Sequence, residues 1–274
     1  MSERYTRPAM GRLWSEEAKF AAWLRVELVV CEAYARRGRI PAEEMTRIRA
    51  AALVDLFAAG FHGFDSATGP RANQPAGVKP GVNIVHKTLE QVHLVMGFPG
   101  LCHSAPERYA LFLLNDVIGG SMSSRLFQEV RERQGLVYAI HSGVQAYLDT
   151  GTLYLYAASD APNFSKVLKS ILKEIRELKK SGVTEEELKR AKDHLKGSLM
   201  LSLESTSSRM NRLAKHELHL GSFLTMDAML ASIDRVKHDE VQALVTELLD
   251  EERLALTTLG PLDRRHLPRE LTGR

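Results

Sequence analysis

The chain has 274 residues, 44% hydrophobic and 26% charged, which excludes wholesale disorder and allows one large domain or two small ones. The net charge of +3 arises within residues 1–53, where 10 Lys/Arg stand against 7 Asp/Glu, and the remainder holds 27 of each. A balanced main body offers no footprint for nucleic acid or an anionic membrane, so neither is expected as a partner. No run approaches ~18 apolar residues, and the charged opening MSERYTRP lacks the apolar stretch of a secretory signal, so a cytoplasmic location is expected. Cys31 and Cys102 lie far apart with different flanks. They suggest buried free thiols, not a disulfide framework or a thiolate metal site.

Taken in order, residues 1–58 read as helical, with Trp14, Phe20, Trp23, Leu24, Val26, Leu28, Val29 and Tyr34 forming a broad apolar stripe. The segment Gly38–Pro41 interrupts it. Residues 59–83 are rich in Gly and Pro without an apolar period and read as a linker. Beyond them, 84–97 reads as extended, with Leu94 and Met96 on one face, His93 and Val95 on the other, and a turn at Pro99-Gly100. A helix is predicted over 106–118.

The stretch NDVIGGSMSSRLFQEVRERQGLVY, 115–138, organises the rest. Gly119 and Gly120 supply a permissive turn, Ser123 or Ser124 caps the next helix, and Leu126, Phe127 and Val130 give that helix an apolar stripe. Gly135 falls where a left-handed residue closes a helix, and an extended run follows. Arg131 and Tyr138 therefore converge across one tight corner. The strand 137–147 pairs with 151–158 through a short link at Asp149-Thr150-Gly151. A helix over 163–180 carries Val167, Ile171, Ile175 and Leu178 on one side, and Thr184 with Glu187 forms a capping box opening a long helix. Helices follow over 205–220, over Thr225–Asp234 and over HDEVQALVTELL, then a last strand over 253–259. Without regular alternation of strand and helix, the fold class is α+β, a sheet with helices packed on one face, preceded by a helical amino-terminal segment. The expected organisation is 1–58 helical, 59–83 linker, 84–262 main domain and 263–274 tail.

Two resemblances add to this reading. RYTRPAMGRLW and FAAWLRVELVVCEAYARRGRIPAEE, within 1–53, resemble the amino-terminal helices of adenylosuccinate lyase. That likeness implies that Arg4 and Tyr5 bind a substrate phosphate, as a vestige here, since no counterpart of that family's histidine segments or serine loop follows. From about 82 to 262, the blocks LEQVHLVMGFPG, GGSMSSRLFQEVRERQGLVYAIHSG, DTGTLYLYAA, GVTEEELKRAKDHLKGSLMLSLESTSSRMNRLA and LALTTLGPL resemble the carboxy-terminal half of insulinase/pitrilysin-like zinc peptidases, in the mitochondrial-processing-peptidase branch.

In that family the zinc belongs to the other half, on an inverted His-x-x-Glu-His helix that this sequence lacks. His86, Glu90 and His93 have the wrong spacing on an expected strand, and His216 and His219 in KHELH read as exposed. No metal ligand and no cofactor is assigned to this chain. Zinc is absent or supplied by a partner half-unit. The resemblance instead implies an Arg/Tyr pair seven residues apart, matching Arg131 and Tyr138, which donates to a substrate peptide carbonyl as negative charge develops on it. Arg133 serves as the comparison position. The leading expectation is a substrate-binding half-unit of a zinc metallopeptidase, inactive alone, whose partners are a zinc-bearing half-unit or a second copy, and peptide. A non-catalytic assembly protein keeping the fold is the alternative, and a fused lyase fragment the third. The apolar stripe of the opening helices leads to an expectation of self-association or docking.

Overall fold

The computed structural model describes residues 26, 29–41, 43–45, 78–263 and 266–268. Arg4, Tyr5 and most of the helical opening predicted over 1–58 lie outside these residues. The described residues divide into two compact units, one drawn from those up to 45 together with Ser205–Glu217, the other from 78–204 together with the residues from Leu218 onward. In the first unit a helix over 29–36 is closed at Gly38, whose φ is +68°. The Gly38 N–H donates to Ala35 O at 2.9 Å and the Arg39 N–H to Tyr34 O at 2.9 Å, the paired bonds of a left-handed helix close.

In the second unit, five strands of the described residues form one sheet: β1 (Gly81–His86), β2 (Val92–Gly100), β3 (Ala139–Ala146), β4 (Gly151–Ser159) and β5 (Ala255–Gly260), in the spatial order β1-β5-β2-β4-β3. β1 runs parallel to β5, and the other pairs are antiparallel. Alternation decides which face is covered. Val92, Leu94, Met96 and Phe98 of β2 are buried in register with Leu153, Leu155 and Ala157 of β4. The opposite face carries His93, Val95, His141, Tyr154 and Tyr156, with His93 Nδ1 2.8 Å from the Tyr156 hydroxyl.

The helices are α1 (Arg108–Asn115), α2 (Phe127–Arg133), α3 (Phe164–Ser181), α4 (Glu185–Ser202), α5 (Thr206–Leu220), α6 (Met226–Arg235) and α7 (His238–Leu248). Leu111 and Leu114 of α1, Phe164, Leu168, Ile171 and Leu172 of α3, and Val241, Val245 and Leu248 of α7 join the buried strand residues in one core. The fold is thus a sheet with helices over one face, as the sequence implied. The capping box at α4 is present, with Thr184 accepting from the Glu187 N–H and Glu187 accepting from the Thr184 N–H.

Some expectations are corrected. The extended stretch read over 84–97 is two strands separated by 87–91, and β1 starts at Gly81, inside the stretch read as linker, because it is held by parallel pairing to β5, 174 residues away at Ala255. Pro99 and Gly100 continue β2, in register with Thr152 and Gly151, and do not turn. Both cysteines are half-buried free thiols, not fully buried ones.

Candidate active-site corner

α1 runs on into a π-helical turn, Asp116–Gly120, and α2 is π-helical throughout. Gly119 and Gly120 have no left-handed φ. Their lack of a Cβ matters for another reason: a Cβ on Gly119 would lie 2.7 Å from the backbone nitrogen of Ser142 on β3, and one on Gly120 would lie 2.8 Å from Asn115 Nδ2. The turn therefore presses directly on β3, where Ser142 also donates to Asn115 Oδ1 at 2.8 Å. Ser124 does not cap α2. Its hydroxyl donates to Ser121 O at 2.6 Å, and α2 has no side-chain cap.

The π-helix has ~4.4 residues per turn, so positions four apart nearly eclipse, which puts Phe127 and Arg131 on one face. Gln128, Glu129 and Arg133 share a second face, and Val130 points into the core at 0% exposure. The end of α2 is closed by Gly135 at φ +59°, with N–H donations from Gln134 to Glu129 O, Gly135 to Arg131 O and Leu136 to Val130 O, each 3.1 Å. The last spans six residues, one more than in the usual close, as a widened helix requires. The chain leaves this close and reaches Tyr138 one residue before β3, the edge strand.

Arg131 and Tyr138 are brought together as expected. The guanidinium carbon of Arg131 lies 5.1 Å from the centre of the Tyr138 ring and 4.6 Å from that of Phe127. Phe127, read from the sequence as core, is half-buried and forms the second wall of this stack. Its signal was its position four residues before Arg131. Tyr138 is 81% exposed, an unusual placement for a large ring with no packing role in the core. Arg131 has a loose contact with Glu132 at 3.6 Å. Arg133 points away, donating to Glu129 Oε2 at 2.8 Å. A guanidinium whose carbon lies over two rings still has N–H groups to donate, and the phenol adds a second donor beside it.

The histidines do not fit a zinc site. His86 Nδ1 lies 3.2 Å from Leu262 O, and His93 bonds Tyr156. His216 and His219, read as exposed, are half-buried, and the His219 ring stacks on His103 at 4.2 Å. Among the described residues there is no group of three or more His, Cys, Asp or Glu that could hold a metal, and no helix long and apolar enough to cross a membrane.

The family model described as "Peptidase M16 inactive domain" matches residues 38–195. The chain belongs to the peptidase M16 family. Its relatives include the uncharacterized zinc protease YmxG of Bacillus subtilis, 42% identical over 64% of this chain and 42% of the relative. Another is an uncharacterized zinc protease of Streptomyces coelicolor, 39% identical over 66% of this chain and 39% of the relative. The chain thus spans about two fifths of the length of these curated relatives. In fold it is similar to the crystal structure of a peptidase M16 inactive domain from Pseudomonas fluorescens, with a TM-score of 0.69 at 23% identity over 79% of this chain and 52% of that one. It is also similar to a protease from Helicobacter pylori, with a TM-score of 0.65 at 18% identity over 81% and 53% of the two chains. The M16 match begins at Gly38, inside the stretch compared with adenylosuccinate lyase, and that likeness gains no support here.

Proposed function

We propose that this M16 domain is the substrate-binding half of a zinc metallopeptidase, and that Arg131 and Tyr138 hold the peptide whose cleavage requires zinc on another half-unit. The observation that supports it is the exposed stack of Phe127, Arg131 and Tyr138 at the edge of the sheet. A ring 81% exposed gains little from burial, so its value lies in what it holds and what it meets.

The chemistry follows from donor geometry. When a scissile peptide carbonyl gains negative charge, a guanidinium N–H and a phenol O–H aimed at that oxygen strengthen as the charge grows, which lowers the barrier more than it tightens ground-state binding. Contact with two rings restrains the guanidinium before substrate arrives, so less side-chain entropy is lost on binding. Zinc and the activated water belong, in this reading, to the partner half-unit.

The test mixes this chain with the portion of the Bacillus subtilis relative that it does not match. The expected result is a complex on gel filtration and cleavage of an unstructured peptide by the mixture, with Arg131→Ala lowering kcat/KM by about 10²-fold or more. A failure to form any complex or activity overturns the proposal. A stable complex whose cleavage ignores Arg131 and Tyr138 supports instead an assembly role that keeps only the M16 fold.

A further inference from the structure

On the face of α2 opposite the stack lies a cavity of about 540 Å³, within the size range that takes small ligands. α2 contributes Gln128, Glu129 and Arg133, α3 contributes Glu174, and α4 contributes Glu187 and Arg190. Arg125 and Ser123, just before α2, complete the wall.

Three arginines suggest an anion site at first sight, but each is already committed. Arg125 holds both oxygens of Glu187 at 2.6 and 2.8 Å and donates to Gly182 O at 2.8 Å. Arg133 donates to Glu129 at 2.8 Å and Arg190 to Glu186 at 2.8 Å. An incoming anion would have to displace a carboxylate, and for the buried Arg125 pair that leaves an uncompensated charge. The unspent charge is that of Glu174, a half-buried carboxyl with no hydrogen bond or ion pair among the described residues. Burial first, and then the charge of nearby Glu129, push its pKa above the ordinary glutamate range. Neutral acceptors line the same cavity: Gln128 spends an amide N–H on Met122 O at 2.8 Å, which leaves its carbonyl oxygen available, and Ser123 brings a hydroxyl that also bonds the Ser121 hydroxyl at 3.2 Å.

We infer that this cavity binds a basic group, an alkylammonium or guanidinium, with Glu174 as its counter-ion and Gln128 and Ser123 as further acceptors. The group comes either from a free diamine or from a lysine or arginine side chain of a peptide. The site is independent of the Arg131 stack, since the two occupy different faces of α2.

Calorimetric titration of the purified chain with 1,5-diaminopentane, and separately with an arginine-containing tetrapeptide, tests this and distinguishes the two sources. Saturable binding of at least one is expected, with no binding of the matching citrulline peptide. Glu174→Gln should weaken it by about tenfold or more, the loss of one charge-assisted bond, whereas Glu174→Asp retains most of it and Arg131→Ala leaves it unchanged. Circular dichroism checks that each variant is folded. Binding should tighten as pH rises through the raised Glu174 pKa and the carboxyl ionises in the presence of Glu129, Arg125, Lys173 and Glu177, the charges that act on it. No saturable binding of either probe, equal binding by Glu174→Gln, or competition by inorganic phosphate would overturn the inference.

Discussion

The guanidinium carbon of Arg131 lies over the Tyr138 ring, 5.1 Å from its centre, and over the Phe127 ring at 4.6 Å. Ring and hydroxyl of Tyr138 have separable roles in this arrangement. Tyr138→Phe keeps the stack and removes one donor; Tyr138→Ala removes both. In the reconstituted pair, kcat/KM should fall in the order wild type, Tyr138→Phe, Tyr138→Ala, with the full loss on the order of 10²-fold. Because the ring is 81% exposed, and an exposed cation–π contact contributes about 0.5–1 kcal/mol, thermal stability should hardly change in either variant. A large drop in Tm with unaltered kcat/KM would mean that the ring is structural.

The two glycines flanking this corner serve different ends and should respond differently to alanine. At Gly119 a Cβ meets the Ser142 backbone at 2.7 Å, and backbone cannot rotate aside. Gly119→Ala should therefore cost about 2–3 kcal/mol, a fall in Tm of roughly 5–10 °C. Gly135 has open space around it but φ +59°, so Gly135→Ala carries only the strain of the left-handed conformation, about 1–2 kcal/mol. Asparagine at 135, which tolerates that conformation, should recover part of the loss, whereas asparagine at 119 should be worse than alanine. Calorimetric melting of the four variants decides this.

What could be read in advance depended on the sequence distance of its cause. The stripe of α3, the Thr184–Glu187 box and the β3–β4 hairpin are local patterns, and each appears where expected. Arg131 and Tyr138 were legible because a glycine close carries the chain from one to the other in seven residues. The start of β1 was not, since its pairing with β5 joins segments at opposite ends of the domain. The cavity on the second face of α2 was hidden for the same reason: Arg125 meets Glu187 from 62 residues away, and Glu174 comes from a third element. Phe127 was placed on the apolar stripe because such a residue is usually core, and its position four residues before Arg131, which faces it to that side chain, was passed over.

The Arg125–Glu187 pair ties α2 to the start of α4, with side chains only 16% and 15% exposed. Removing one partner strands the other charge, so Arg125→Ala should destabilise by about 3–5 kcal/mol. Replacing both, as Arg125→Met with Glu187→Leu, should restore much of that, because no buried charge remains. Recovery will stop short of wild type by the half of the capping box that the Glu187 carboxylate supplies to the Thr184 N–H and hydroxyl, about 1 kcal/mol. Urea melts of the two variants would show equal losses if the pair contributed only through packing.

The same carboxylate should make stability fall in acid. Burial raises the Glu187 pKa, but the Arg125 hydrogen bonds, with those of the Thr184 N–H and hydroxyl, outweigh it and hold the carboxyl below its ordinary range. A folded-state value below the unfolded one means that the folded protein binds this proton less readily, so the stabilisation is full above the ordinary glutamate value. It then drains away as pH falls through the depressed one. Glu129 acts with the same sign through its bonds from Gln134 and Arg133. Unfolding free energy should therefore decline from roughly pH 5 downward, and Glu187→Gln should be less stable at pH 7 yet show a shallower acid limb. Parallel acid limbs for wild type and Glu187→Gln would remove Glu187 as the source of the dependence.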